Sequence, residues 1–255
     1  MRTMNRLAAI PALKARAMVG AAAITAMILF GAASANGQGL PPVAKELNPA
    51  QTALVLVDFQ YPFTSPDGAN YRNVKKEMDE KRLLDGTLEL VRKARSLGVL
   101  VVHITEGYSS DYRELDPTNP GGFHRGQILR QAWKIGTKEQ SYYEPLLPAA
   151  GDKDLVLPPR VQTTAFGGTG LNEILRSRGI KNVAVAGFTT DVCVYATVTN
   201  AYDLGYHVYA LREAMAGYFT EQSEQMLKNT YPMWSKVVSN DEWLAMFGFG
   251  QTTQR

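Results

Sequence analysis

The sequence predicts an α/β fold: one mainly parallel sheet, doubly wound, with helices on both faces. Three observations predict it. Short apolar runs rich in β-formers alternate with segments of helical spacing. The runs TALVLV and NVAVAG are apolar at consecutive positions, as in strands covered on both sides. Polar residues end several of these runs, at the strand ends where open α/β sheets bind ligands.

Taken in order, residues 36–51 (NGQGLPPVAKELNPAQ) read as an extended lead-in, and the domain proper is expected over 52–255. TALVLVDFQ is a buried strand whose apolar run stops at Asp58. Residues 82–97 carry apolar side chains at helical spacing and stop at Gly98. VLVVHIT (99–105) is the next strand. Residues 106–150 lack clear periodicity apart from weak helical character near 125–133, and a stretch that long reads as a lid or substrate loop. DLVLP (154–158) is a strand, 169–179 a helix, NVAVAG (182–187) a strand, and 191–205 a helix. YHVYAL (206–211) is a strand, 220–230 a helix, and WSKVVS (234–239) the last strand, with DEWLAMFG closing the domain.

Ahead of all this stand 35 residues of a different kind. MRTMNRLAAIPALKAR has four basic residues and no acid, and runs into an apolar stretch ending Ala33-Ser34-Ala35. That order predicts a secretory signal peptide over 1–35, cleaved before Asn36, and hence a periplasmic or secreted protein. The alternative is a retained anchor, since the apolar run approaches the ~20 residues of a membrane span. Removing Arg2, Arg6, Lys14 and Arg16 takes the formal charge from +3 to −1. The mature part has no Lys/Arg-rich run, so neither nucleic acid nor, after cleavage, a membrane surface is an expected partner.

The chain has one cysteine, Cys193, in GFTTDVCV, and so cannot form an internal disulfide. A buried small hydrophobe is the ordinary reading of a single thiol. Its position argues otherwise: like Asp58 and Arg160, Cys193 follows a predicted strand, here at the start of a predicted helix. A helix N-terminus and a nearby cation both favour a thiolate. A nucleophilic thiol also needs a base. His103, His124 and His207 are poorly placed for that, His207 lying at the wrong end of the sheet, which leaves a carboxylate such as Asp58.

ALVLVDFQ and the block RVQTTAFGGTGLNEILRSRGIKNVAVAGFTTDVCVYATVTNAYDLGYHV resemble the isochorismatase-like cysteine hydrolases, a family that includes nicotinamidases, N-carbamoyl amidohydrolases and ureidoacrylate amidohydrolases. The resemblance spans roughly residues 50–240 and is most specific from Thr164 to Asp203. It implies a Rossmann-like three-layer fold and cleavage of a C–N bond in a small amide or carbamoyl compound through a thioester. It implies Asp58 as general base, Cys193 as nucleophile, and the backbone N–H groups of Thr189 and Cys193 as oxyanion hole, with a cis peptide between Phe188 and Thr189. It implies a homo-oligomer and no cofactor.

The family's catalytic lysine lies six positions before the Phe166 equivalent, and this chain has Arg160 there. Arginine keeps the positive charge but presents a planar fork. Lys134, Lys138 and Lys153 are the other candidates for a lysine role. A chain with this departure could also be a small-molecule binding protein on a hydrolase fold. The metal-binding Asp-x-His of the nicotinamidases is missing from HITEGYSS, so no metal is expected, and His103 reads as a strand residue. Gln60, Phe63, Trp133, Phe166 and Phe188 are pocket candidates from their places in the matching loops, and Tyr195 reads as packing. Thr190 or Asp191 is the expected helix cap.

Overall fold

The computed structural model describes residues 46–248. The expected signal peptide and most of the lead-in lie outside them. What is described of the lead-in ends in a 3₁₀ turn, Pro49–Gln51.

Six strands form one sheet: β1 (Thr52–Val57), β2 (Leu100–Ile104), β3 (Leu155–Val156), β4 (Asn182–Phe188), β5 (His207–Ala216) and β6 (Lys236–Val238). Their order is β3-β2-β1-β4-β5-β6, and every neighbouring pair is parallel. The chain builds outward from β1 to one edge, then returns to build from β4 to the other. Order reverses between β1 and β4, and in such sheets that reversal opens a crevice at the carboxyl ends.

All six residues of β1 and all seven of β4 are buried, as two-sided coverage requires. Alternation divides β1 between two cores. Leu54 and Leu56 join Val74, Leu83, Leu90, Val91 and Trp243 on one face. Ala53, Val55 and Val57 join Leu171, Leu175, Val194 and Val198 on the other. The first layer includes α2 (Tyr71–Glu80), which follows the short α1 (Tyr61–Thr64), and α3 (Leu83–Leu97). The second includes α5 (Leu171–Ser177) and α6 (Cys193–Asp203). In α3, Leu83, Thr87, Leu90, Val91 and Ala94 are the buried stripe, and Gly98, at φ +80°, ends it with its N–H on the Ala94 and Arg95 carbonyls.

Three features differ from expectation. Helices α1 and α2 occupy residues that showed no helical signal. Strand β5 runs past Leu211 to Ala216, because Gly187 and Phe188 pair with Met215 and Ala216 after a register shift. The helical character expected near 125–133 is α4 (Gly122–Arg130), but the 106–150 region is no free lid: it buries Tyr108, Tyr112, Leu115, Ala132, Trp133 and Leu146. The helix expected over 220–230 is present, as α7 (Thr220–Gln225) continued by a π-helical turn over Met226–Thr230. The chain closes with α8 (Asn240–Ala245), whose Ser239 and Glu242 form a capping box. Among the described residues, no helix is long and apolar enough to cross a membrane.

Candidate active site

The carboxyl ends of β1, β2 and β4 converge on one cluster. Asp58, the first residue past β1, is fully buried and sits at φ +56°. That left-handed conformation is uncommon outside glycine, although Asp tolerates it better than most, and it turns the chain immediately after the strand. Arg160 is brought alongside by an extension of the β2–β3 pairing. Its N–H donates to Thr105 O at 2.9 Å, and its carbonyl accepts from Gly107 N at 2.9 Å.

The guanidinium meets Asp58 fork to fork, Nη1 to Oδ1 at 2.6 Å and Nη2 to Oδ2 at 2.8 Å. Nη2 also donates to Thr163 O at 2.9 Å, and Nε to Thr164 O at 3.1 Å. Burial works against the charge of Arg160, but the Asp58 carboxylate outweighs it and pushes the guanidinium's affinity for its proton up. Both side chains are wholly inaccessible.

Cys193 is the first residue of α6, so its N–H is one of the four that a helix leaves without an internal partner. Val192 and Val194, on either side, both donate to Thr189 O at 3.1 Å. The peptide between Phe188 and Thr189 is cis. The turn depends on Gly187, at φ +132°: a Cβ there would lie 1.9 Å from Val57 O of the neighbouring strand. The expected side-chain cap is not formed. The helix begins two residues later than read, its N-cap is Val192, and Thr189 Oγ1, Thr190 Oγ1 and Asp191 Oδ1 have no hydrogen-bond partner.

The thiol faces a residue the sequence reading passed over. Cys193 Sγ lies 3.5 Å from Oε2 of Glu106, which is fully buried. Glu106 Oε1 accepts from the Tyr108 hydroxyl. Gln60 clamps the Glu106 backbone from both sides: Nε2 donates to Glu106 O, and Oε1 accepts from Glu106 N, each at 2.9 Å. Burial and the neighbouring Asp58 push the Glu106 carboxyl up to about 8, against the opposing pull of Arg160. Burial, then Asp58 and Glu106, push the Cys193 thiol well above its ordinary value. This corrects the expectation of a thiolate favoured by its surroundings. The donor atoms of Asp58, Glu106 and Cys193 lie within 4.8 Å of one another, but the positive charge among them is Arg160's, and a metal ion would have to displace it.

Beside the cluster, Phe63 stacks on Phe188 with centroids 5.0 Å apart and lies 5.8 Å from Trp133. Tyr218, also unanticipated, is 6.3 Å from Phe63. Trp133 is buried with its indole N–H unbonded. Phe166 goes elsewhere: its ring stacks on Tyr206 at the amino end of β5, so it does not line this site. Gln60 is spent on the Glu106 clamp rather than on a pocket wall. Lys134 and Lys138 engage Gln131 and Asp67, and Lys153 borders a cavity beside Arg95 at the start of β2, so none of the three joins the cluster. His103 is a buried β2 residue bonded to Asp154 and Tyr142, and Tyr195 packs on Tyr231.

A doubly wound sheet with a buried thiol at the first turn of a helix, beside two carboxylates and an arginine at the strand ends, is an α/β arrangement in which a cysteine could act as a nucleophile. The model of the isochorismatase domain matches residues 52–242, and the chain belongs to that family. It is 27% identical over 191 residues to the ureidoacrylate amidohydrolase RutB of Rhizobium rhizogenes, a match covering 66% of this chain and 71% of that one. Among solved structures it resembles a cysteine hydrolase from Pseudomonas syringae (TM-score 0.70, 22% identity, 82% of this chain and 98% of that one). It also resembles the N-carbamoylsarcosine amidase of Thermoplasma acidophilum (TM-score 0.59, 24% identity, 75% and 97%).

Proposed function

We propose that this protein hydrolyses a C–N bond in a small amide or carbamoyl compound through a thioester on Cys193. The observation that carries the reading is the Cys193 thiol at the first turn of α6, facing a carboxylate at 3.5 Å beside the Asp58–Arg160 pair. The sulfur attacks the carbonyl carbon, and the developing oxyanion is taken by the N–H groups of Thr189 and Cys193. Such donors are each worth on the order of 10²–10³ in rate. The C–N bond breaks, the amine leaves with a proton, and water then cleaves the thioester to release the acid and regenerate the thiol. Arg160 holds Asp58 and supplies the positive charge that offsets the acids.

The names of the relatives support amides of the carbamoyl type. The test is ammonia release from ureidoacrylate and from N-carbamoylsarcosine, with mass spectrometry for an acyl group on the single cysteine. Turnover that Cys193→Ala abolishes is expected. Turnover that survives the substitution would overturn the assignment. The basic, apolar, Ala-x-Ala order of residues 1–35 supports export to the periplasm or beyond, and N-terminal sequencing of the mature protein should begin at Asn36. The resemblance supports a homo-oligomer, which the mass in solution by light scattering checks.

A further inference from the structure

Two carboxylates border the thiol, and their surroundings differ. Both oxygens of Asp58 are bonded to Arg160, one to each terminal nitrogen. A lysine ammonium is a single point of charge, whereas the arginine fork engages both oxygens at once. With both Asp58 oxygens held by the fork, the hydrogen bond of the Cys193 thiol goes to Glu106. Glu106 is arranged otherwise. Its Oε1 is fixed by the Tyr108 hydroxyl, its backbone is fixed by Gln60, and Oε2 is directed at Cys193 Sγ.

We propose that Glu106, not Asp58, is the acid–base residue of this enzyme, and that Asp58 is held by Arg160 as a fixed charge. The proposal rests on the hydrolase reading above. In acylation the Cys193 S–H proton passes to Glu106 Oε2 as the sulfur–carbon bond forms. The same proton then goes to the departing nitrogen as the C–N bond breaks. In deacylation Glu106 takes a proton from water as the hydroxide adds to the thioester carbonyl, and returns it to the sulfur when the C–S bond breaks. The carboxyl ends each half-reaction ionised, as it began.

The groups facing Glu106 are Asp58 from the end of β1, Arg160 from the segment after β3, Cys193 from α6, and Tyr108 from its own loop. Burial and Asp58 raise the Glu106 carboxyl to about 8, close to neutral pH, where a single group serves best as both acid and base.

The test uses the full chain and p-nitrophenyl acetate, an ester whose leaving group departs without a proton. It reads the lifetime of the acetyl thioester on Cys193 by mass spectrometry, with Cys193→Ser as the blank. Glu106→Gln should be acetylated about 10²-fold more slowly, and the thioester it does form on long incubation should outlast the wild-type one by a similar factor. Wild-type deacylation should rise as pH increases toward about 8, and the Gln variant should lack that rise. Glu106→Gln deacylating at the wild-type rate with the same pH profile would overturn the proposal. So would a loss of deacylation in Asp58→Asn alone. If circular dichroism shows Glu106→Gln unfolded, Glu106→Asp withdraws the carboxyl by one methylene, and a wild-type lifetime there would equally overturn it. A wild type left unacetylated at Cys193 would instead sink the hydrolase reading itself.

Discussion

Replacing Arg160 by lysine restores the residue the family pattern has, and the geometry says it should weaken the fold. Arg160 makes four hydrogen bonds between 2.6 and 3.1 Å, to both Asp58 oxygens and to the carbonyls of Thr163 and Thr164. A lysine ammonium carries three donors on one atom, and from the Asp58 side it cannot reach both carbonyls as well. We take one carboxylate bond and one carbonyl bond as lost. A buried acceptor left unpaired costs about 1–3 kcal/mol, so the sum for two is roughly 2–6 kcal/mol. For a domain of this size each kcal/mol moves the midpoint by about 2–4 °C, giving a fall on the order of 10 °C. Thermal unfolding followed by circular dichroism reads it. A midpoint for Arg160→Lys at or above the wild-type value would show that the site has no need of the fork, and would remove the physical reason for treating Asp58 as locked.

Other substitutions follow from the same contacts. Gln60→Ala should free the Glu106 backbone, costing about 2–6 kcal/mol in a urea titration for two unpaired buried groups and lowering amidase activity with it. Gly187→Ala should cost on the order of 4 kcal/mol and give a low yield of soluble protein, because the added Cβ overlaps Val57 O. Glu106 binds its proton more tightly folded than unfolded, so it lowers stability progressively as pH rises from about 4.5 to about 8. Glu106→Gln should therefore raise the melting point by several degrees at pH 8 and leave it nearly unchanged at pH 4. Iodoacetamide should label Cys193 at least ~10-fold more slowly at pH 7.5 than it labels a free thiol, with a rate still climbing above pH 9, since the buried thiol is held protonated.

The sheet was legible because buried parallel strands carry an unbroken apolar signal, and TALVLV and NVAVAG could hardly be anything else. Asp58, Arg160 and Cys193 stood out by ending such strands, and the structure brings them together. Glu106 follows VLVVHIT in the same way and carried the same signal, but it also opens a long loop and was read as part of it. Phe166 was misplaced because a motif position fixes the backbone and not the ring, which found Tyr206 instead. Helices α1 and α2 escaped because Pro62, Pro66 and Gly68 break the pattern of 61–70, and only Val74, Glu77 and Met78 of α2 are buried. The sign of the thiol's shift could not come from sequence, since it depends on how completely water is excluded.

Asp58 and Arg160 are 102 positions apart in the chain, and Glu106 and Cys193 are 87 apart. No short segment can bring such partners together; they meet only when β1, β2 and β4 lie side by side in the right order. A sheet assembled in any other order would strand an arginine and two acids, each alone, in apolar surroundings, at several kcal/mol per charge. The cluster that performs the chemistry therefore also discriminates against misordered sheets, and it should be among the last parts of the molecule to take shape.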